Sequence, residues 1–346
     1  MRALVLDHFG LEHLRLAQLP DPDAARLEPG EVLLRIRATT LNHRDLRVIA
    51  GTYDPRFQLP LVPCSDAAAE VVALGEAVTS LAVGDRVLPA FAPRWLSGPP
   101  RKELIRATWG APLPGTACEL LVAPASCLVS APGHLDDVAA SALCCAGATA
   151  YRALVDLPEL SSREASLAGQ WVLCLGTGGV SVFAAQIARA LGARVAVTSS
   201  DDAKLAVMKE LGVDLTINYR SVPDWGRHVR STTGGVHHVI EVGGAQTLEH
   251  SLRAVLPGGI ISLIGVLSGR SAPLDLAPVL MNQIRVQGVL AGPRSTLARV
   301  AEFYERHRLR PHVHGAYSLA DGAAAFQALA DQRHVGKVGI RLADPE

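Results

Sequence analysis

The chain has 346 residues, 49% apolar and 19% charged, and its 33 basic and 33 acidic residues leave no formal net charge. That length accommodates two domains with substantial cores, and the composition is ordinary for a globular protein. The charge balance argues against a nucleic-acid or anionic-membrane partner, since either selects a basic excess.

The opening MRALVLDHFG has too short an apolar run for a signal peptide, and no stretch approaches the ~18 apolar residues of a spanning helix. A cytoplasmic protein is therefore expected. Up to about residue 127 strand-like segments dominate, at 3–6, 31–41, 67–74, 86–89 and 119–122, with turns bearing Pro and Gly between them. Helical spacing at 43–49 and an excursion at 93–114 containing Pro and Trp interrupt them.

From about residue 128 the rhythm changes. A helix at 136–154 leads into strand 171–175, helix 180–191, strand 194–198, helix 203–211, strand 215–217 and helix 225–231. Strand 237–242, helix 247–256 and strands 260–264 and 285–290 follow. This alternation predicts an α/β fold with a doubly wound parallel sheet. Helices at 295–307 and 320–332 and a strand at 336–342 read as a return onto the first domain. The expected domains are thus 1–127, 128–292 and a returning 293–346. The six cysteines, Cys64, Cys118, Cys127, Cys144, Cys145 and Cys174, are scattered. They read as small buried hydrophobes rather than a disulfide framework.

The run LCLGTGGVS at 173–181 carries the clearest chemistry. An apolar strand breaks into Gly176, Thr177, Gly178 and Gly179 and enters a helix at Val180. This is the geometry that lets a backbone approach a pyrophosphate and aims free helix N–H groups at it. The last position of the G-x-G-x-x-G pattern is Ser181, still small enough for close helix–strand packing. The next strand ends in Ser199-Ser200, with Lys204 one turn on, which suits a ribose 2′-phosphate. NADP(H) is therefore expected over NAD(H), and Tyr219 is counted with the cofactor-side residues. Asp201 and Asp202 fit equally as N-terminal residues of the following helix.

The chain resembles the medium-chain dehydrogenase/reductase superfamily, whose alcohol dehydrogenases and quinone oxidoreductases pair a Rossmann domain with a β-rich GroES-like domain. The resemblance runs essentially end to end. Its marks are Gly30-Glu31-Val32, LNHRDLRVIAG (41–51), PLVPCSDAAAEVVALG (60–75), VGDRV (83–87), CAGATAYRAL (145–154), the glycine turn and GGIISLIGVLSG (258–269). Zinc-dependent members place a cysteine where this chain has Asn42, and Gly-His-Glu where it has Cys64-Ser65-Asp66. Only the third ligand position matches, at Cys145. One cysteine does not meet the requirement for three protein ligands and an open position. The family's structural zinc needs four cysteines in the excursion, where only Cys118 stands. The resemblance thus implies no zinc, and His43, His237 and His238 are isolated.

Without a Lewis acid, alcohol oxidation is harder, and hydride transfer to an electrophilic carbon of a quinone or enone becomes the expected chemistry. The resemblance places Asn42 near the nicotinamide or substrate oxygen as a neutral donor and gives Asp45 an orienting role. Tyr53 fits either a proton or hydrogen-bond donor to the developing oxyanion or an aromatic packing role. Thr149 falls on the nicotinamide side of the cofactor, and Gly265, Val266 and Leu267 line the nicotinamide pocket. Trp95 and Trp109 fit either a lid over the substrate or an anchor of their own loop. The expected substrate is a small hydrophobic carbonyl compound. An alcohol or aldehyde dehydrogenase and a non-catalytic NADPH-binding sensor are the competing functions. A homodimer is expected, with the apolar strand 258–267 as its edge.

Overall fold

The computed structural model describes residues 1–157 and 166–342. Its strands, in chain order, are β1 (Arg2–Leu6), β2 (Leu14–Gln18), β3 (Glu31–Thr40), β4 (Ala68–Leu74), β5 (Arg86–Pro89), β6 (Leu120–Pro124) and β7 (Leu128–Ser130). They continue with β8 (Trp171–Leu175), β9 (Arg194–Ser199), β10 (Leu215–Asn218), β11 (Val236–Glu241), β12 (Val255–Leu263) and β13 (Arg285–Gly288). The last two are β14 (Val313–Ser318) and β15 (Lys337–Arg341).

The α-helices are α1 (His43–Ile49), α2 (Lys102–Arg106), α3 (Asp137–Ser141), α4 (Ala148–Tyr151), α5 (Gly179–Ala190) and α6 (Asp202–Glu210). They continue with α7 (Trp225–Thr233), α8 (Leu248–Ala254), α9 (Ala277–Met281), α10 (Arg294–His307) and α11 (Gly322–Ala330).

The chain divides into two units: Met1–Ala148 with the segment from Ala291 onward, and Thr149–Leu290. The first holds a largely antiparallel sheet in the order β14-β15-β3-β4-β5-β7, with β6 also paired to β3. The expected boundary at residue 127 is therefore corrected to 148. The physical reason lies in pairing and packing: β7 is hydrogen-bonded to β5, and α3 lies against β3 and β4. The chain returns to this unit at Ala291 rather than 293. There β15 joins the sheet beside β3, with Ile340 opposite Thr39.

The second unit is a six-stranded sheet, parallel throughout, in the order β10-β9-β8-β11-β12-β13. Its central strand β8 is buried at every residue, as expected for a parallel strand covered on both faces. The buried side of α5 (Val182, Phe183, Ala184, Ala185, Ile187 and Ala188) follows helical spacing. On the sheet, Leu173, Leu175, Val239 and Ile261 form a core with Trp225, Val229 and Leu252.

Three further expectations are corrected. The apolar strand 258–267 is not an edge: β12 is paired on both sides, to β11 and β13, and the edge is β13. The helix expected at 136–154 contains two π-helical turns, Leu143–Gly147 and Arg152–Asp156. The whole helical run Asp137–Asp156 is long and apolar enough to cross a membrane by length and composition alone, contrary to the expectation from the sequence. Within its most apolar 18-residue stretch 83% is buried, which is the property of a core helix.

Candidate functional site

In a doubly wound sheet, ligands bind beyond the carboxyl ends of the strands where the strand order reverses. Here that point lies between β8 and β11. The glycine turn leaves the carboxyl end of β8. Gly176 adopts φ +72°, a left-handed conformation that disfavours side chains, and its N–H donates to Thr198 O at 2.8 Å. A side chain added at Gly178 would meet nothing within 4 Å, so the backbone there is open to a neighbour. No side chain caps α5, which leaves its first N–H groups to an outside acceptor. Ser181 is buried and donates from Oγ to Leu175 O at 2.6 Å. Serine thus ties the helix to the strand where the usual pattern has glycine.

Ser199 ends β9, and Ser200 follows it. The Ser199 hydroxyl accepts the Asp201 N–H at 3.3 Å, and Ser199 O accepts the Tyr219 N–H at 3.0 Å, so Tyr219 is brought beside the serines. Asp201 is the N-cap of α6, accepting the N–H groups of Ala203 and Lys204, and Asp202 accepts the Asn218 amide at 2.8 Å. Both aspartates are therefore occupied by local structure. Gly265 packs against the Val242 backbone, and Val266 and Leu267 beyond it are exposed. Thr149 is buried on α4.

Glu241, which the sequence reading missed, shapes the adjoining loop. Its buried carboxylate accepts from the N–H groups of Gly243 and Gly244 and from the hydroxyls of Thr247 and Ser251. The signal for it was a lone acid at the end of an apolar strand.

In the first unit, Asn42 precedes α1, and Asp45 accepts its backbone N–H at 2.8 Å. Asp45 is 1% exposed and paired with Arg44 at 3.3 Å. Burial pushes its carboxyl up to about 6 against the pull of Arg44. These contacts tie Asp45 to the start of α1 and to Arg44. Residues 62–66 form no regular secondary structure, and Cys64 holds φ +73°. This segment is clamped by the 115–117 backbone: Gly115 N–H bonds Val62 O, Thr116 N–H bonds Cys64 O and Ala117 N–H bonds Pro63 O. The hydroxyls of Thr39 and Thr116 both donate to Asp66 O at 2.6 Å.

These constraints aim Asp66 at Lys337, the second residue that the sequence reading missed. Lys337 is 3% exposed on β15. Its ammonium lies 2.6 Å from Asn42 Oδ1, 2.7 Å from Leu41 O and 3.0 Å from Asp66 Oδ2. Thr40 Oγ1 donates to the same carboxylate oxygen at 2.8 Å. A lysine inside an apolar strand, VGKVGI, was the legible signal. Around this pair Asn42 Nδ2, Ser65 Oγ and Asp66 Oδ1 are buried without a hydrogen-bond partner among the described residues.

The donor set does not fit a catalytic zinc. An amide, a hydroxyl and one thiol stand at the three ligand positions, and a lysine ammonium lies against the first. Among the described residues no group of three His, Cys, Asp or Glu side chains is placed to hold a metal. Burial pushes the Cys145 thiol up to about 12, and the residue packs against Phe91, Ala92 and Trp95. None of the six cysteines, all among the described residues, is in a disulfide.

Tyr53 is half-exposed, its ring stacked on Phe57 and facing Arg44 and Arg47, so it is not a core aromatic. Trp95 and Trp109 are buried, with their indole N–H groups donating to Gly98 O and Ala90 O. Both anchor the excursion to its own unit.

A parallel sheet with a glycine turn at its reversal point, in a chain that also folds a separate, largely antiparallel unit, defines the class of two-domain nicotinamide oxidoreductases. Residues 179–306 match the zinc-binding dehydrogenase family and residues 28–133 the alcohol dehydrogenase GroES-like domain. A zinc-type alcohol dehydrogenase-like protein of Schizosaccharomyces pombe is 35% identical over 99% of both chains. Among solved structures, a putative alcohol dehydrogenase from Sinorhizobium meliloti superposes with TM-score 0.90 at 37% identity, covering 99% of this chain and 98% of that one. An NAD-dependent alcohol dehydrogenase superposes with TM-score 0.87 at 33% identity, covering 99% and 100%. The chain belongs to the medium-chain dehydrogenase/reductase superfamily, in its zinc-type alcohol dehydrogenase-like part.

Proposed function

We propose that this protein is a zinc-independent, NADP(H)-dependent reductase of small hydrophobic carbonyl compounds, of the quinone or enone type. The observation that carries the reading is the Lys337 ammonium held by Asn42 and Asp66 beside two ligand positions that offer only an amide and a hydroxyl. When bound, NADPH supplies the hydride. Gly176, Thr177, Gly178, Gly179 and Val180 would cradle its pyrophosphate at the α5 N-terminus, and Ser199, Ser200, Lys204 and Tyr219 would receive the 2′-phosphate. Thr149, Gly265, Val266 and Leu267 would face the nicotinamide.

In the first unit, Asn42 Nδ2 would donate to the substrate oxygen as negative charge develops there, a stabilisation that is strongest in a dry site. Asp45 holds the Asn42 backbone, and Tyr53 is the exposed hydroxyl assigned to proton supply.

The second reading, alcohol or aldehyde oxidation, is favoured by the similarity to proteins described as alcohol dehydrogenases. NADPH absorbance followed over a panel of quinones, enones and aldehydes, with and without chelator, separates the two. Chelator-insensitive reduction is expected; chelator-sensitive alcohol oxidation contradicts the proposal. Tight NADPH binding without turnover on any panel member identifies a sensor instead.

We further propose a homodimer through the second unit. Among the described residues the outer side of β13 has no strand partner, and Leu276, Leu280, Met281, Val286 and Leu290, on it or close to it in sequence, are exposed large apolar side chains.

A further inference from the structure

We infer that Lys337 is a positioning residue, its ammonium fixing the Asn42 side chain so that the amide nitrogen alone is presented to the reacting oxygen. The inference rests on the reading of Asn42 as the oxyanion donor and adds the group that makes it one.

A primary amide is nearly symmetric in shape, and its oxygen and nitrogen ends exchange by a half-turn unless a neighbour distinguishes them. An ammonium has three donors and no acceptor. The atom 2.6 Å from Lys337 Nζ must therefore be Asn42 Oδ1, and Nδ2 is turned to the other side. There it is buried and unpartnered among the described residues, as are the neighbouring Ser65 Oγ and Asp66 Oδ1. A buried N–H left unpaired by the fold is costly unless an incoming acceptor completes it.

The ammonium itself is in no position to serve the substrate. Asn42 Oδ1, Leu41 O and Asp66 Oδ2 occupy its three donors. Asp66 neutralises the lysine and holds it in place, and is itself held by Thr40 on the same oxygen and by Thr39 and Thr116 on its backbone. The charge pair thus acts on catalysis only through the amide. No bond is made or broken at Lys337.

The test is a double-mutant cycle read by NADPH absorbance with benzoquinone and cyclohexenone. Lys337→Met combined with Asp66→Asn removes the pair without leaving a lone buried charge, and Asn42→Ala removes the amide. Each change is expected to lower kcat at least tenfold with NADPH affinity unchanged. The triple variant should be no slower than Asn42→Ala, because the two changes act on one hydrogen bond. Multiplicative losses would overturn the inference while leaving Asn42 as donor. An unchanged kcat in Asn42→Ala, or no turnover of either substrate by the wild type, overturns the reading beneath it.

Lys337→Arg supplies a second measurement should the paired variant fail to fold. It keeps a donor-only cation and is expected to retain kcat within threefold. A folded Lys337→Arg protein that has lost tenfold or more contradicts the proposal.

Discussion

Asp45 is a carboxylic acid held in a place that disfavours its charge. Burial lifts it from the usual 3.8 to about 6, and Arg44 and the Asn42 N–H recover only part of the loss. The fold therefore favours the protonated form, and this contribution to stability is complete below pH ~4 and lost as pH rises through about 6. The difference corresponds to about 3 kcal/mol. Denaturant unfolding at pH 4, 5 and 7 should show the wild type losing stability relative to Asp45→Asn across that window. A constant difference between the two proteins would refute the assignment. Ser200, just beyond β9, is the residue to which the proposed cofactor preference is assigned. Ser200→Asp is expected to weaken NADPH binding at least tenfold, since a carboxylate repels the 2′-phosphate. Fluorescence titration that returned wild-type NADPH affinity would remove the serines from that role.

The decisive element for the polar cluster is the irregular segment 62–66, which makes no regular secondary structure and is positioned by its neighbours. Gly115 is the close approach: a Cβ there would lie 2.0 Å from Pro63 O. Gly115→Ala should cost about 3 kcal/mol or more, with loss of activity to match. Melting at the wild-type temperature would show that the clamp is not needed.

This segment also shows where the sequence is legible. The glycine turn, the end of β9 and the caps of α6 are local, and each was readable from spacing. Lys337 and Glu241 take their meaning from partners far along the chain (Lys337 meets Asn42 across 295 residues), so no window of sequence reports them. Similarly β7 reads as the start of the second domain until its pairing with β5 is known. The strand 258–267 reads as an edge until β13 is found beyond it, because an apolar run looks alike in the middle of a sheet and at its margin.

At the scale of the molecule, the doubly wound sheet and the β-rich unit follow from the order of segments. The residues of the proposed reaction divide between the two units, with cofactor residues on the second and Asn42 on the first. The apolar surface beside β13, where Leu280 and Met281 are 77% and 78% exposed, belongs to this scale too. Light scattering should give a dimer mass. Replacing both residues with Glu should yield a folded monomer. A wild-type monomer would contradict the proposed interface.

The most direct test of the central claim is the rate of NADPH-dependent enone or quinone reduction by protein freed of metal with a strong chelator. The account predicts the untreated rate, with no metal bound in stoichiometric amount and no recovery on adding zinc. Loss of activity on chelation, restored by zinc, would contradict it.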